Sequence, residues 1–252
     1  MRALRAALAE RGISLAGSDG GRTWVTAVVS LAAFALVAVV GSWPQVVALN
    51  VDVLRGVQTA VPFGTFDAIS LLLVLGASQV SLGLLAVGGA WLYLRGQRLV
   101  ALSLGFVLVG VALEVTLKAT LGHPMVWEEF THGSALYPFP EVKTSVVSLV
   151  APFPSGHVLR ASYLAMTLVA LLGGKMGKVG GVVLRLVAWL TVAGVVFGVL
   201  YLGWHWPTDA LGGLALAYAL TAPTRWAVGQ AATPRRTQRP TGLSLESRSA
   251  LD

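Results

Sequence analysis

The chain has 252 residues, 56% of them hydrophobic and only 12% charged, a balance that excludes an ordinary soluble domain of this size and points to an integral membrane protein. Lys and Arg number 18 against 11 Asp and Glu, a formal charge of +7; in so apolar a chain the excess belongs at a membrane surface and gives no reason to expect nucleic acid. Cysteine is absent, which excludes disulfides and thiolate chemistry.

In chain order, residues 1–23 form a basic segment with Arg2, Arg5 and Arg11 on one expected short helix. A first span is expected from about Trp24 to Trp43, long enough to cross about 30 Å of hydrocarbon at about 1.5 Å per residue. Its apolar run is long for a signal peptide, and VVGSW carries no clean small-x-small cleavage site, so it reads as an uncleaved helix. Residues 44–69 carry Pro44, Pro62, Gly64 and scattered charge, and read as an interfacial connection. A second span covers 70–94, broken by Gly76, and Arg95 and Arg98 mark a tight polar turn. A third covers 100–117, and a less apolar loop with Glu128, Glu129 and Glu141 covers 119–153. Further spans fall at 156–173, 180–202 and 207–226, and the polar, Arg-rich stretch from Ala231 is expected to be disordered. The expectation is an all-α integral membrane bundle of six transmembrane helices over residues 24–230, with no internal repeat.

Positive charge orients the bundle. If the spans alternate, Arg22 and the arginines before it, Arg95 and Arg98, Lys175, Lys178 and Arg185, and Arg225 with Arg235, Arg236 and Arg239 all share one side. That side is expected to be cytoplasmic, with both termini on it. The opposite side gathers Lys118, the PSGH segment Pro154–His157 and the HWPTD segment His205–Asp209.

PSGH opens an apolar helix. Ser155 suits the N-cap, Gly156 lets backbone approach a ligand closely, and the unpaired N–H groups of the first turn form an anion site suited to phosphate. His157 stands in that first turn, able to exchange a proton near neutral pH. In HWPTD, Asp209 lies four residues after His205, and a carboxylate there can fix the imidazole's tautomer and leave its other nitrogen free to attack. Each segment alone also fits a plainer role: a capped helix that happens to carry a histidine, or a His–Asp pair that only caps a turn. Lys118 alone fits snorkelling to the interface, and Glu114, four residues before it, is placed to pair with it. The four histidines, His123, His132, His157 and His205, match no metal-ligand spacing, so neither a metal nor another cofactor is expected. Trp127, Trp204 and Trp206 read as interfacial anchors.

Together these segments resemble the type 2 phosphatidic acid phosphatase superfamily, membrane lipid phosphatases with a vanadium-haloperoxidase-like core and the motifs K-x6-RP, PSGH and SR-x5-H-x3-D. The second motif is intact as Pro154–His157, and the third supplies His205 and Asp209 at the right spacing. The resemblance covers roughly residues 45–226. The chain departs from it where the family's Arg-Pro falls on Met125-Val126 and its Ser-Arg on Gly198-Val199. Arg160, one turn after His157, and His123, in a GHP segment aligned with an additional family Arg-Pro, are the candidates to compensate.

The resemblance implies a two-step hydrolysis without metal. His205, oriented by Asp209, attacks phosphorus to give a phosphohistidine, and His157 acts first as general acid and then as base. Lys118, Ser155 and Gly156 hold the charged oxygens, aided by Arg160 and His123. The implied substrate is a lipid phosphate such as a polyprenyl diphosphate, phosphatidic acid or phosphatidylglycerol phosphate, drawn from the cell membrane into an outward-facing site. Two alternatives stay open: a relative that binds or transports a phospholipid without hydrolysing it, and a transferase using the same phosphohistidine chemistry. For Arg160 the alternative is a simple ion pair with a loop glutamate, and for His123 a solvated loop position. The oligomeric state is left open.

Overall fold

The computed structural model describes residues 18–62, 64, 67–134, 136–139 and 151–232. The expected helix carrying Arg2, Arg5 and Arg11, the loop residue Glu141 and the tail with its expected disorder lie outside the described residues. Within them all regular structure is helical, with no strand. The α-helices are α1 (Ser18–Val40), α2 (Pro44–Ala60), α3 (Ser70–Leu73), α4 (Ser78–Leu94), α5 (Arg98–Ser103), α6 (Phe106–Thr120), α7 (Gly156–Leu172), α8 (Gly177–Tyr201), α9 (Pro207–Leu220) and α10 (Ala222–Ala232).

Gly20–Val40, Arg98–Thr120 and Gly177–Tyr201 are each long and apolar enough to cross a membrane. Asp67–Gly76 and Ser78–Leu94, bent by 46° at Ala77, make a fourth crossing if counted as one broken span. Six spans require counting α7 and the α9–α10 pair as well. The 17-residue α7 is shorter than a typical span but is the most enclosed helix, with ten buried residues, and it packs against α8 and α9. α1 lies on α9 and leaves Val25, Val28, Val29, Leu36 and Val39 exposed, the pattern of a helix on the lipid-facing rim of an integral membrane bundle.

The interfacial connection expected over 44–69 holds a 17-residue amphipathic helix over residues 44–60. Pro44 sits in its first turn, where a missing N–H is harmless, and it buries Asn50, Val51 and Leu54 while Asp52 and Arg55 face outward. The scattered charges noted there belong to its solvated face.

Both breaks in the central helices are compensated by side chains, as a membrane interior demands. Between α5 and α6 the freed carbonyls of Ser103 and Leu104 accept from the Tyr163 hydroxyl at 3.0 and 3.2 Å, and Thr224 Oγ1 donates to Ser103 at 3.2 Å. At the Ala77 bend, the carbonyl of Gly76 accepts from Arg160 Nε at 2.7 Å. The core is layered along the bundle. Leu73, Val158, Val195, Val199 and Trp206 pack at one end, Leu85, Leu159, Tyr163 and Leu216 in the middle, and Leu92, Val100, Leu104 and Ala227 at the other end.

The first of these layers is locked by the turn between α8 and α9. Gly203 there has φ +64, and a Cβ on it would run into the Phe130 carbonyl. Gly203→Ala therefore combines left-handed strain with a backbone clash. It is expected to destabilise the protein by about 2 kcal/mol or more, read as a lower unfolding midpoint in detergent; an unchanged midpoint would contradict this packing.

Candidate functional site

The site is built where α7 and α9 begin. Ser155 caps α7, its Oγ accepting from the Val158 N–H at 3.4 Å, and its own N–H donates to the Asp209 carbonyl at 2.9 Å. That bond joins the two segments singled out in the sequence, 54 residues apart, directly through backbone. The charges of Lys118 and Arg160 act electrostatically on both His157 and His205, so four of the expected residues share one field.

Glu114 organises the cations. Its Oε1 accepts from Lys118 Nζ at 3.0 Å and its Oε2 from Arg160 Nη1 at 2.5 Å. Arg160 is buried, and its Nε is committed to the Gly76 carbonyl. The Glu114 carboxylate lies directly over Gly156, where any side-chain carbon would collide with both of its oxygens. Gly76 is equally constrained, pressed against the backbone of His157. The ion pair of Arg160 thus runs to α6 rather than to a loop carboxylate.

His205 and Asp209 face one another across the α8–α9 turn, with Nδ1 3.7 Å from Oδ2, beyond hydrogen-bond range. Asp209 Oδ2 accepts from the Trp206 N–H at 2.7 Å, capping α9, while Asp209 Oδ1 and His205 Nδ1 are buried without a partner among the described residues. A small ring movement that closes the 3.7 Å gap would give Nδ1 a partner in Oδ2 and leave Oδ1 to be satisfied separately. Burial, with the Lys118 charge next, pushes the His205 imidazole down to about 3, so the ring is neutral at physiological pH and keeps a lone pair.

The remaining expected residues are placed as follows. His157 Nε2 is 2.8 Å from the Tyr137 hydroxyl, and its ring packs against Trp204. His123 is buried, with Nε2 2.9 Å from the Ala38 carbonyl and its ring stacked on Phe153 at 4.5 Å. It ties the loop after α6 to α1 and is not a solvated loop residue. Of the departures from the family pattern, Met125 is half exposed on that loop and Val199 is fully buried in the apolar layer. The anchor reading is corrected for Trp206, which is 1% exposed and donates Nε1 to the Pro124 carbonyl at 2.9 Å.

Sequence reasoning missed three supports. Asn50 of α2 holds the start of α9 through Thr208 Oγ1 at 2.9 Å and the Thr208 N–H at 3.2 Å. Gln58 bonds the carbonyls of Phe130 and Tyr201. Tyr137 engages His157. Asn50 and Gln58 lie in the segment read as an interfacial connection, where an amphipathic count over 44–60 would have flagged them, and Tyr137 lies in the 119–153 loop. A groove of about 230 Å³ between α7, α8 and α9, lined by Arg185, Trp189 and Arg225, lies at the opposite end of the bundle and is separate from this chemistry. Among the described residues no three His, Asp or Glu converge on a possible metal position.

Arg160→Ala leaves Glu114 with one partner and the Gly76 carbonyl bare. Breaking such a buried pair from one side is expected to destabilise the fold by about 3–5 kcal/mol, and Arg160→Lys to restore only part, since an ammonium cannot serve both acceptors as the guanidinium fork does. Denaturation midpoints in detergent read this directly; an unshifted midpoint in Arg160→Ala would contradict it.

The sequence pattern of the PAP2 superfamily matches residues 97–232. The crystal structure of a transmembrane PAP2-type phosphatidylglycerolphosphate phosphatase from Bacillus subtilis is similar, with a TM-score of 0.64 and 21% identity over 84% of this chain and 99% of that one. No curated protein matches the sequence. At that identity the structural likeness speaks for the fold. The family pattern, however, covers more than half of the chain and spans Lys118, Pro154–His157 and His205–Asp209, and the chain therefore belongs to the PAP2 superfamily.

Proposed function

We propose that this multi-pass membrane protein is a metal-independent phosphatase of lipid phosphates that works through a phosphohistidine on His205. Membership of the PAP2 superfamily supports lipid phosphatase activity at the level of the family. The observation that carries the finer reading is the direct Ser155–Asp209 backbone bond, which brings the α7 N-terminus, with His157 in its first turn, against the His205–Asp209 pair, within the field of Lys118.

In this reading His205, neutral and buried, attacks phosphorus with one ring nitrogen while Asp209 takes the hydrogen bond of the other. A P–N bond forms, the P–O bond to the lipid breaks, and His157 protonates the leaving oxygen. Water deprotonated by His157 then cleaves the P–N bond and releases inorganic phosphate. Lys118 and the first N–H groups of α7, with Ser155 capping that turn, hold the phosphoryl oxygens. The lipid chain remains in the bilayer beside α2 and the loop over the site. Phosphatidic acid, phosphatidylglycerol phosphate and polyprenyl diphosphate are the candidate substrates.

The cytoplasmic membrane orientation proposed for the chain puts the ends of α1 and α10 farthest from His205 inside, with the site outside, because Arg95, Arg98, Lys175 and Lys178 lie at the other end of the bundle. Gly133 is exposed, with open space around it. Gly133→Cys is expected to react with an impermeant thiol reagent applied to intact cells, and a cysteine added after Ala232 to be protected. The reverse pattern overturns the orientation.

Activity is tested by phosphate release from purified protein in detergent with a chelator present, over a panel of lipid phosphates. His205→Ala is expected to abolish release, and Asp209→Asn to lower it by about 10²-fold or more while the protein stays folded. Full turnover in His205→Ala would overturn the nucleophile. No release by the unaltered protein would favour the phospholipid-binding reading instead.

A further inference from the structure

A carboxylate already stands against the first residue of α7, between the cations expected to serve a phosphate. The carboxylate over Gly156, bonded to Lys118 and Arg160, is not a ligand but Glu114 of the same chain. We propose that Glu114 is a specificity-determining residue: it sets the charge of the phosphate group this site accepts, so that the site takes lipid phosphomonoesters and discriminates against lipid diphosphates.

Lys118 and Arg160 contribute two positive charges and Glu114 removes one, leaving +1 for the substrate. The other cation described at this end, Arg55, lies over the Phe130 ring, 5.9 Å from its centroid, on the outward face of α2. Met125 and Val199 bring no charge. Glu114 cannot swing far, because α6 fixes its backbone, both oxygens are engaged and the residue is buried. An incoming phosphate therefore shares Lys118 and Arg160 with a fixed carboxylate. A phosphomonoester brings between one and two negative charges near neutral pH, which the remaining cation and the α7 dipole can balance. A diphosphate brings a further phosphoryl charge against Glu114 in a poorly hydrated site, where like charges repel strongly.

This rests on the phosphatase reading, and the experiment separates the two. Farnesyl monophosphate and farnesyl diphosphate carry the same chain, and kcat/KM is measured on both. The expected result is a preference for the monophosphate of at least tenfold in the unaltered protein. In Glu114→Gln, which keeps the shape and removes the charge, the ratio is expected to fall by about tenfold, mainly through a lower KM for the diphosphate. The paired change Glu114→Gln with Arg160→Gln returns the net charge to +1 and is expected to keep the preference. A merely structural Glu114 would alter stability but not this ratio. Equal or better turnover of the diphosphate by the unaltered protein overturns the inference, as does an unchanged ratio in folded Glu114→Gln. Should Glu114→Gln not fold, Lys118→Gln, which lowers the net charge to 0, is expected to raise the preference for the monophosphate further, and an unchanged ratio in that folded variant overturns the inference. If nothing is turned over, the phosphatase reading fails on its own. The inference is then judged by thermal stabilisation with inorganic phosphate against pyrophosphate: tighter phosphate binding that Glu114→Gln reverses supports it, and equal binding overturns it.

Discussion

A carboxylate buried between two cations is the constraint on which the rest of this site depends. Taking Glu114, Lys118 and Arg160 out of water costs several kcal/mol for each charge, recovered only when every group finds well-placed partners. The chain meets that demand with its backbone. The second span bends at Ala77, and the bend frees the Gly76 carbonyl to accept from Arg160. Gly156 has no side chain because the Glu114 carboxylate occupies that volume, and Gly76 has none because His157 presses against it. A bent span, two glycines and an arginine at the start of an apolar helix thus have one physical cause.

The same constraint explains what could and could not be read from the sequence. Apolar runs between punctuating charges marked the last residues of α1 and α4 and both ends of α7 and α8 closely, because burial in lipid demands continuous apolar length. In contrast, α1 begins before the expected Trp24, at Ser18, and the span expected over 70–94 is divided into α3 and α4. PSGH and HWPTD could be joined because their spacing is local and their chemistry distinctive. The Glu114–Arg160 pair could not, since it spans 46 positions and neither partner carries a motif; Glu114 pointed only to its near neighbour Lys118. The α2 helix was hidden by Pro44 and by charges on its outward face, although Asn50, Val51 and Leu54 mark the buried one. Trp206 misled because tryptophan at a span end suits an interface equally well, and only the Pro124 carbonyl reveals that it is packed inward.

Support for the site comes from elements that carry no motif. α2 clamps the start of α9 through Asn50 and the end of α8 through Gln58. The loop after α6 threads over the same end, its His132 carbonyl accepting from Trp204 Nε1 at 2.9 Å and its Tyr137 hydroxyl meeting His157. These contacts hold His157 and His205 on rigid helix ends, which is what reaction within a few tenths of an ångström requires. Among the described residues, Asp209 Oδ1 and His205 Nδ1 are both buried without a partner at this centre, with Nδ1 3.7 Å from Oδ2. The Nδ1–Oδ2 gap fits a pair that closes into a hydrogen bond when positive charge develops on the imidazole, the moment at which the nucleophile needs support.

The central claim, that phosphate enters beside Glu114 and is attacked by His205, is tested most directly by an experimental structure with orthovanadate, which mimics the pentacoordinate phosphoryl group. The account predicts vanadium bonded to a His205 ring nitrogen, oxygens within hydrogen-bond distance of Lys118 and the Gly156 N–H, and Glu114 still in contact with Arg160. Vanadate bound away from His205, or excluded while Glu114 alone fills the α7 N-terminus, would contradict it.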